Sequence, residues 1–131
     1  MDLTRIQALI QRYGSRLDLP RSTLNTLSDI ALSALGSTWL GGHITTANRI
    51  SNKPEYRHPL IRDLVGAAPE IGIAELVELG LYLKQFANDP EIGLCLDSLR
   101  SPSQYESTLL QLAMAYRLAV AVQSSHLSHR H

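Results

Sequence analysis

The chain has 131 residues, of which 44% are hydrophobic and 18% charged, and its formal net charge is zero. A chain of this length forms one domain and buries roughly two-thirds of its unfolded surface. The only cysteine, Cys95, excludes an internal disulfide. Because Leu94 and Leu96 flank it, we predict a small buried hydrophobe rather than a nucleophile.

The charges are unevenly divided along the chain. Residues 1–62 carry eight Lys or Arg against four Asp or Glu, whereas residues 63–131 carry four against eight. This division favours local charged patches over long-range steering. Charges at Asp2, Arg5 and Arg12 exclude a signal peptide, and no apolar run reaches transmembrane length. We therefore predict a cytoplasmic protein without a membrane partner.

The first two predicted helices cover about Leu3–Tyr13 and Pro20–Leu35. Apolar residues recur in both at helical spacing. Asp2 can cap the first helix, and Gly14 can end it. Gly36 ends the second.

Residues 37–58 interrupt the helical pattern. Gly41-Gly42 predicts a turn, and the spacing predicts one short helix over about Thr45–Ile50. We expect a structured connector between two helical layers, in which the only tryptophan, Trp39, is the core anchor.

The most nucleic-acid-like composition of the chain lies in and just after this connector. Basic side chains bind phosphates and aromatic rings stack on bases. The candidate nucleic-acid or partner surface consists of Arg49, Lys53, Tyr56, Arg57, His58 and Arg62. Glu55 and Asp63 dilute its charge, so an ordinary polar surface is the favoured interpretation. A small-molecule site would have to be lined by Trp39, His43, Tyr56 and His58.

Three further helices are predicted over about Pro59–Ala67, Pro69–Ala87 and Pro90–Leu99. The fourth helix is apolar over most of its surface, which predicts a central position. Its polar residues form one narrow stripe of Glu75, Glu78, Tyr82 and Gln85. Two Glu one turn apart without a His favour a solvated stripe over a metal site.

The sixth predicted helix begins near Ser101-Pro102, an N-terminal signal. From Leu109 to Val122 only Gln111, Tyr116 and Arg117 are polar. This run is too short to span a bilayer, so it predicts a buried core helix or a subunit contact.

The tail, residues 124–131, is polar and predicted to be flexible. Its histidines, His126, His129 and His131, lack acidic or Cys neighbours, so they predict adventitious metal binding at most. We expect no physiological metal and no cofactor.

The segment YESTLLQLAMAYRL resembles the helix before the core of PD-(D/E)xK restriction-endonuclease-like proteins. The matching positions are Tyr105, Ser107, Gln111-Leu112 and Ala115, although Gln111 stands where that family has an acidic residue. The strands that carry the family's catalytic residues do not follow in this chain. The resemblance therefore implies an accessory helical domain without nuclease activity of its own.

Together these patterns predict an all-α fold, an irregular or orthogonal bundle of five to six helices in a single domain over residues 1–123. The fourth and sixth helices are expected at its centre. For function we favour a non-enzymatic module that binds another protein or itself, either alone or as an accessory domain of a larger protein. A nucleic-acid-binding domain associated with a DNA-processing enzyme is the alternative.

Overall fold

The protein is all-α and forms a single domain. A computed structural model describes residues 3–40, 58–66 and 68–128. Its helices are α1 (Leu3–Gly14), α2 (Arg21–Leu35), α3 (Pro59–Val65), α4 (Pro69–Gln85), α5 (Ile92–Arg100) and α6 (Tyr105–Ser128). Residues 37–40 are also helical, so the helix count is slightly above the predicted five to six. None of the helices described is both long and apolar enough to cross a membrane.

Proline and glycine set several of the helix ends. Pro59 and Pro69 occupy the first turns of α3 and α4, where a missing N–H leaves no helical hydrogen bond unmade. Pro20 is the N-cap of α2. Gly36 ends α2 with φ 95°, a backbone conformation that suits glycine, and its N–H donates to the Leu32 carbonyl.

Helix α4 lies at the centre of the bundle, as its sequence predicted. It packs against α1, α2, α3 and α6, and most extensively against α2. Its buried side chains lie on several sides of the helix, which explains why it has so little polar surface. The buried residues of α4 are Gly72, Ile73, Leu76, Val77, Leu79, Gly80, Tyr82 and Leu83.

Two glycines allow the neighbouring helices to approach the α4 backbone. A Cβ atom at Gly80 would overlap the carbonyl oxygen of Leu27 in α2 and would lie 2.6 Å from the carbonyl carbon. A Cβ atom at Gly72 would lie 2.9 Å from the Leu64 nitrogen in α3. Backbone atoms cannot rotate away as a flexible side chain can, so α2 requires glycine at position 80.

Helix α6 differs from its prediction in position and length. It packs on α5 and on one side of α4, so it lies at the edge of the bundle and not at its centre. It also continues to Ser128, five residues into the predicted tail. The predicted short helix over Thr45–Ile50 lies outside the described residues.

Arg100, at the end of α5, ties that helix to the end of α2. Its guanidinium donates from Nε to the Leu35 carbonyl and from Nη2 to the Ala34 carbonyl, each at 2.8 Å. Nη1 forms a 3.2 Å contact with the exposed Asp97 carboxylate. The last carbonyls of a helix lack helical donors and carry partial negative charge. The guanidinium supplies both hydrogen-bond donors and a positive charge to them.

We predict that Gly80→Ala destabilises the protein by roughly 1–3 kcal/mol or more, because the new methyl group must displace the α2 backbone. Gly93→Ala is the matched control, since Gly93 lies in α5 and a Cβ there meets nothing within 4 Å. The control should be neutral, or more stable by up to about 1 kcal/mol. Urea unfolding measures both variants. An unchanged Gly80→Ala protein would contradict the close approach.

Arg100→Met should lower the free energy of unfolding by about 1–3 kcal/mol, because two carbonyls lose charge-assisted hydrogen bonds. Asp97→Asn removes the arginine's exposed partner and should change stability by less than about 0.5 kcal/mol. Thermal and urea unfolding of the two variants provide the measurement. If the two variants lost the same free energy of unfolding, the effect would come from the Arg100–Asp97 ion pair and not from the hydrogen bonds to the α2 carbonyls.

Candidate functional site

The structure describes only part of the predicted basic–aromatic surface. Arg49, Lys53, Tyr56 and Arg57 lie outside the described residues. Arg62 is exposed on α3. His58 is 0% exposed, so the prediction that it belongs to an outer surface is wrong. Nucleic-acid binding by the other residues stays a prediction.

His58 is a core residue that joins three parts of the fold. Its Nε2 lies 2.6 Å from the Leu99 carbonyl oxygen, and because a carbonyl only accepts, Nε2 carries the proton. The imidazole packs against Trp39, with ring centroids 4.9 Å apart, and against Tyr105 at 4.5 Å. Trp39 is partly buried and packs against the core. The imidazole therefore connects the start of α3 to the end of α5.

Two tyrosines bind the carboxylates of the polar stripe on α4. The Tyr105 hydroxyl donates to Glu75 at 2.5 Å, and the Tyr82 hydroxyl donates to Glu78. Glu75 is only partly exposed, so the predicted solvated stripe holds for Glu78 but not for Glu75. The two carboxylates thus satisfy the hydroxyl groups of buried tyrosines.

The electrostatic environment of Glu75 favours its protonated form. Burial raises the pKa of Glu75 most, the hydrogen bond from Tyr105 lowers it, and the charges of Asp63, Glu78 and Glu106 raise it further. Burial, followed by the adjacent carboxylate, raises the pKa of Tyr105 and of Tyr82. The carboxylates of Asp63 on α3, Glu75 and Glu78 on α4, and Glu106 on α6 form an acidic edge where these helices meet.

The described residues form no cluster of three or more His, Cys, Asp or Glu that could hold a metal ion. The side chains of His126, His129 and His131, which were predicted to bind metal adventitiously at most, lie outside the described part of the chain. Their behaviour stays a prediction.

A small apolar cavity lies between α5 and α6. Its volume is about 190 Å³, below the roughly 300–1,000 Å³ usual for ligand pockets. Phe86, Ile92, Cys95, Leu112 and five other residues line it. Cys95 is partly buried there and packs against the core, so the predicted small buried hydrophobe is only partly enclosed.

The most unusual surface of the described chain is one side of α6. We define the outer face as Ser107, Leu110, Met114, Leu118 and Ala121, all of which are exposed. The exposed fractions are 62% for Leu110, 57% for Met114 and 67% for Leu118. Large apolar side chains grouped in this way mark an interaction site more often than single exposed ones do.

The outer face points directly away from the bundle. A helix turns by about 100° per residue, so Leu110 and Leu118 lie about 40° to either side of Met114. Leu112 and Tyr116, which pack on the core, lie about 160° from Met114 on the same wheel. Helix α6 therefore has two apolar faces, and its own bundle covers one of them.

The exposure of this face bears on one of the two interpretations of the last helix, the buried core helix. A buried core helix is excluded for residues 110, 114 and 118, whereas a subunit contact remains compatible with their exposure. The spacing i, i+4, i+8 was visible in the sequence. Apolar residues occur on nearly every side of this helix, so the pattern did not reveal which face was the covered one.

We predict that Glu75→Gln raises stability at pH 7. A carboxyl group whose pKa is raised on folding destabilises the folded state when it is ionised. For Glu75 this destabilisation disappears as the pH falls through the pKa of the folded state towards the usual value of 4.5. The wild-type protein should therefore gain stability over this interval relative to Glu75→Gln, in which the amide oxygen still accepts from Tyr105. Urea unfolding from pH 7 to about 4.5 measures the difference. Glu91→Gln, at an exposed position outside the acidic edge, is the control, and identical pH profiles for Glu75→Gln and wild type would contradict the prediction.

Comparisons with known proteins identify no relative: no family model, no curated protein and no solved structure matches this chain.

Proposed function

We propose that this protein is a non-enzymatic helical interaction module that self-associates through the outer face of α6. The observation that carries the proposal is the exposure of Leu110, Met114 and Leu118 opposite the face that packs on the bundle. A second copy presents the same apolar surface, so each copy can cover the other.

The energetics favour a dissociable contact. Each of the three side chains still exposes more than half of its surface, so burying it contributes about 1–2 kcal/mol. Six such side chains in a dimer contribute on the order of 10 kcal/mol, which is comparable with the roughly 4–15 kcal/mol cost of association. We therefore expect a reversible equilibrium between monomer and dimer, and we do not expect an obligate dimer.

The proposed contact also explains an apolar sequence that the monomer does not use. Between Leu118 and Val122 every residue is apolar, and Val122 is 67% exposed. Leaving this surface in water is unfavourable, and covering it against a partner removes that cost.

Leu118→Glu should abolish self-association, because a carboxylate within the apolar contact loses its hydration without gaining a partner. The variant should fold as stably as wild type, within about 0.5 kcal/mol, since residue 118 is exposed in the monomer. Sedimentation equilibrium from about 10 µM to about 500 µM measures the association.

The matched control is Leu94→Glu, which introduces the same charge at a leucine of α5 that is 70% exposed and lies outside the outer face. This control should associate like wild type. A wild-type protein that remains monomeric at the highest concentration would overturn the proposal, as would undiminished association of Leu118→Glu.

A further inference from the structure

The residues of the outer face are arranged almost symmetrically about Met114. Reading outward along LQLAMAYRL, Ala113 matches Ala115, and Leu110 matches Leu118. Three residues beyond each leucine, the outer face has Ser107 and Ala121, which are both small and both seven positions from Met114. A two-fold axis perpendicular to the helix makes residue i meet residue j while j meets i, so a face with like residues at equal distances from the axis places like side chains against each other.

We infer that two copies pair in an antiparallel manner along α6 with Met114 at the two-fold axis, which places Leu110 of each copy beside Leu118 of the other. This inference rests on the proposed self-association and specifies its geometry. Ser107 of one copy then lies level with Ala121 of the other, and these small side chains allow the two helices to approach closely.

The charges along the edge of the outer face distinguish antiparallel from parallel pairing. Glu106 and Arg117 lie on the same edge, about 80° and 60° from Met114. In the antiparallel pair, Arg117 of one copy lies level with residue 111 of the other, which is five residues from Glu106. The separation along the helix axis is therefore about 7.5 Å, and two long side chains can span it. In a parallel pair the same residues are about 16 Å apart.

The surface that Arg117 would reach is already rich in negative charge. Glu106 acts electrostatically on Glu75, together with Asp63 and Glu78, so these carboxylates form one acidic edge where α3, α4 and α6 meet. Arg117 of the same copy already acts on Tyr82, which donates to Glu78, and in the pair the partner's Arg117 adds a second cation that reduces the repulsion further. Self-association should consequently weaken with added salt, because these groups are exposed or only partly buried.

Cysteine variants in a Cys95→Ala background test the geometry directly. Met114→Cys should form a disulfide-linked dimer on oxidation, since facing residues at a two-fold axis bring their Cα atoms to the roughly 4.4–6.8 Å that a disulfide requires. Leu110→Cys alone should not cross-link, because its two copies are about 12 Å apart along the axis. An equal mixture of Leu110→Cys and Leu118→Cys should yield the mixed dimer.

Each alternative leaves a different pattern on a non-reducing gel, and sedimentation of the reduced variants shows whether they still associate. Self-cross-linking of Leu110→Cys indicates a parallel pair, which overturns this inference but leaves the proposed self-association intact. Association without any of the expected cross-links also overturns the geometry alone. A monomeric wild-type protein overturns both proposals.

A charge exchange gives an independent test. Arg117→Glu should weaken association about five-fold or more, because each copy then places a carboxylate against the acidic edge of the other. Adding Glu106→Arg should restore much of the lost affinity. If the double variant associates no better than Arg117→Glu alone, Arg117 and Glu106 do not face each other and the antiparallel register is wrong.

Discussion

The contact between Gly80 of α4 and the backbone of Leu27 in α2 is the constraint on which the rest of the bundle depends. Helices usually pack through interlocking side chains, but here a backbone carbonyl lies where a side chain would otherwise be. Because α2 approaches so closely, α4 is covered on that side by main chain. Its remaining sides are left to α1, α3 and α6, and these helices surround it.

A few buried polar groups hold the ends of the helices in place around this centre. Arg100 satisfies the last carbonyls of α2, and His58 donates to the carbonyl of Leu99, the residue before Arg100. These bonds converge where α2, α3 and α5 meet. Tyr105, at the start of α6, packs on His58 and reaches Glu75 on α4. The position of α6 is thus set at its first turn, and the rest of the helix extends from that anchor along the bundle edge.

This anchoring leaves the outer face of α6 exposed. A 24-residue helix is about 36 Å long, and its buried residues lie in its first third. The remainder keeps an apolar outer face that the described part of the chain does not cover. One apolar face of this helix packs on its own core, and the other is the face that we propose binds a second copy. The fold therefore supports an interpretation as an interaction module on physical grounds, and the palindromic residues around Met114 favour a second copy as that partner.

The sequence by itself determined the helical class, the central place of α4 and several helix ends, because periodicity, proline and glycine act locally. Tertiary structure alone decided the roles of His58 and α6. His58 lies in a polar stretch that reads as surface, yet the packing of Trp39 and Tyr105 encloses it. The apolar residues of α6 occur on nearly every side, so periodicity could not tell the covered face from the exposed one. Only the position of the neighbouring helices showed that Leu112 is buried and Met114 is exposed, because burial depends on what packs against a residue and not on the residue itself.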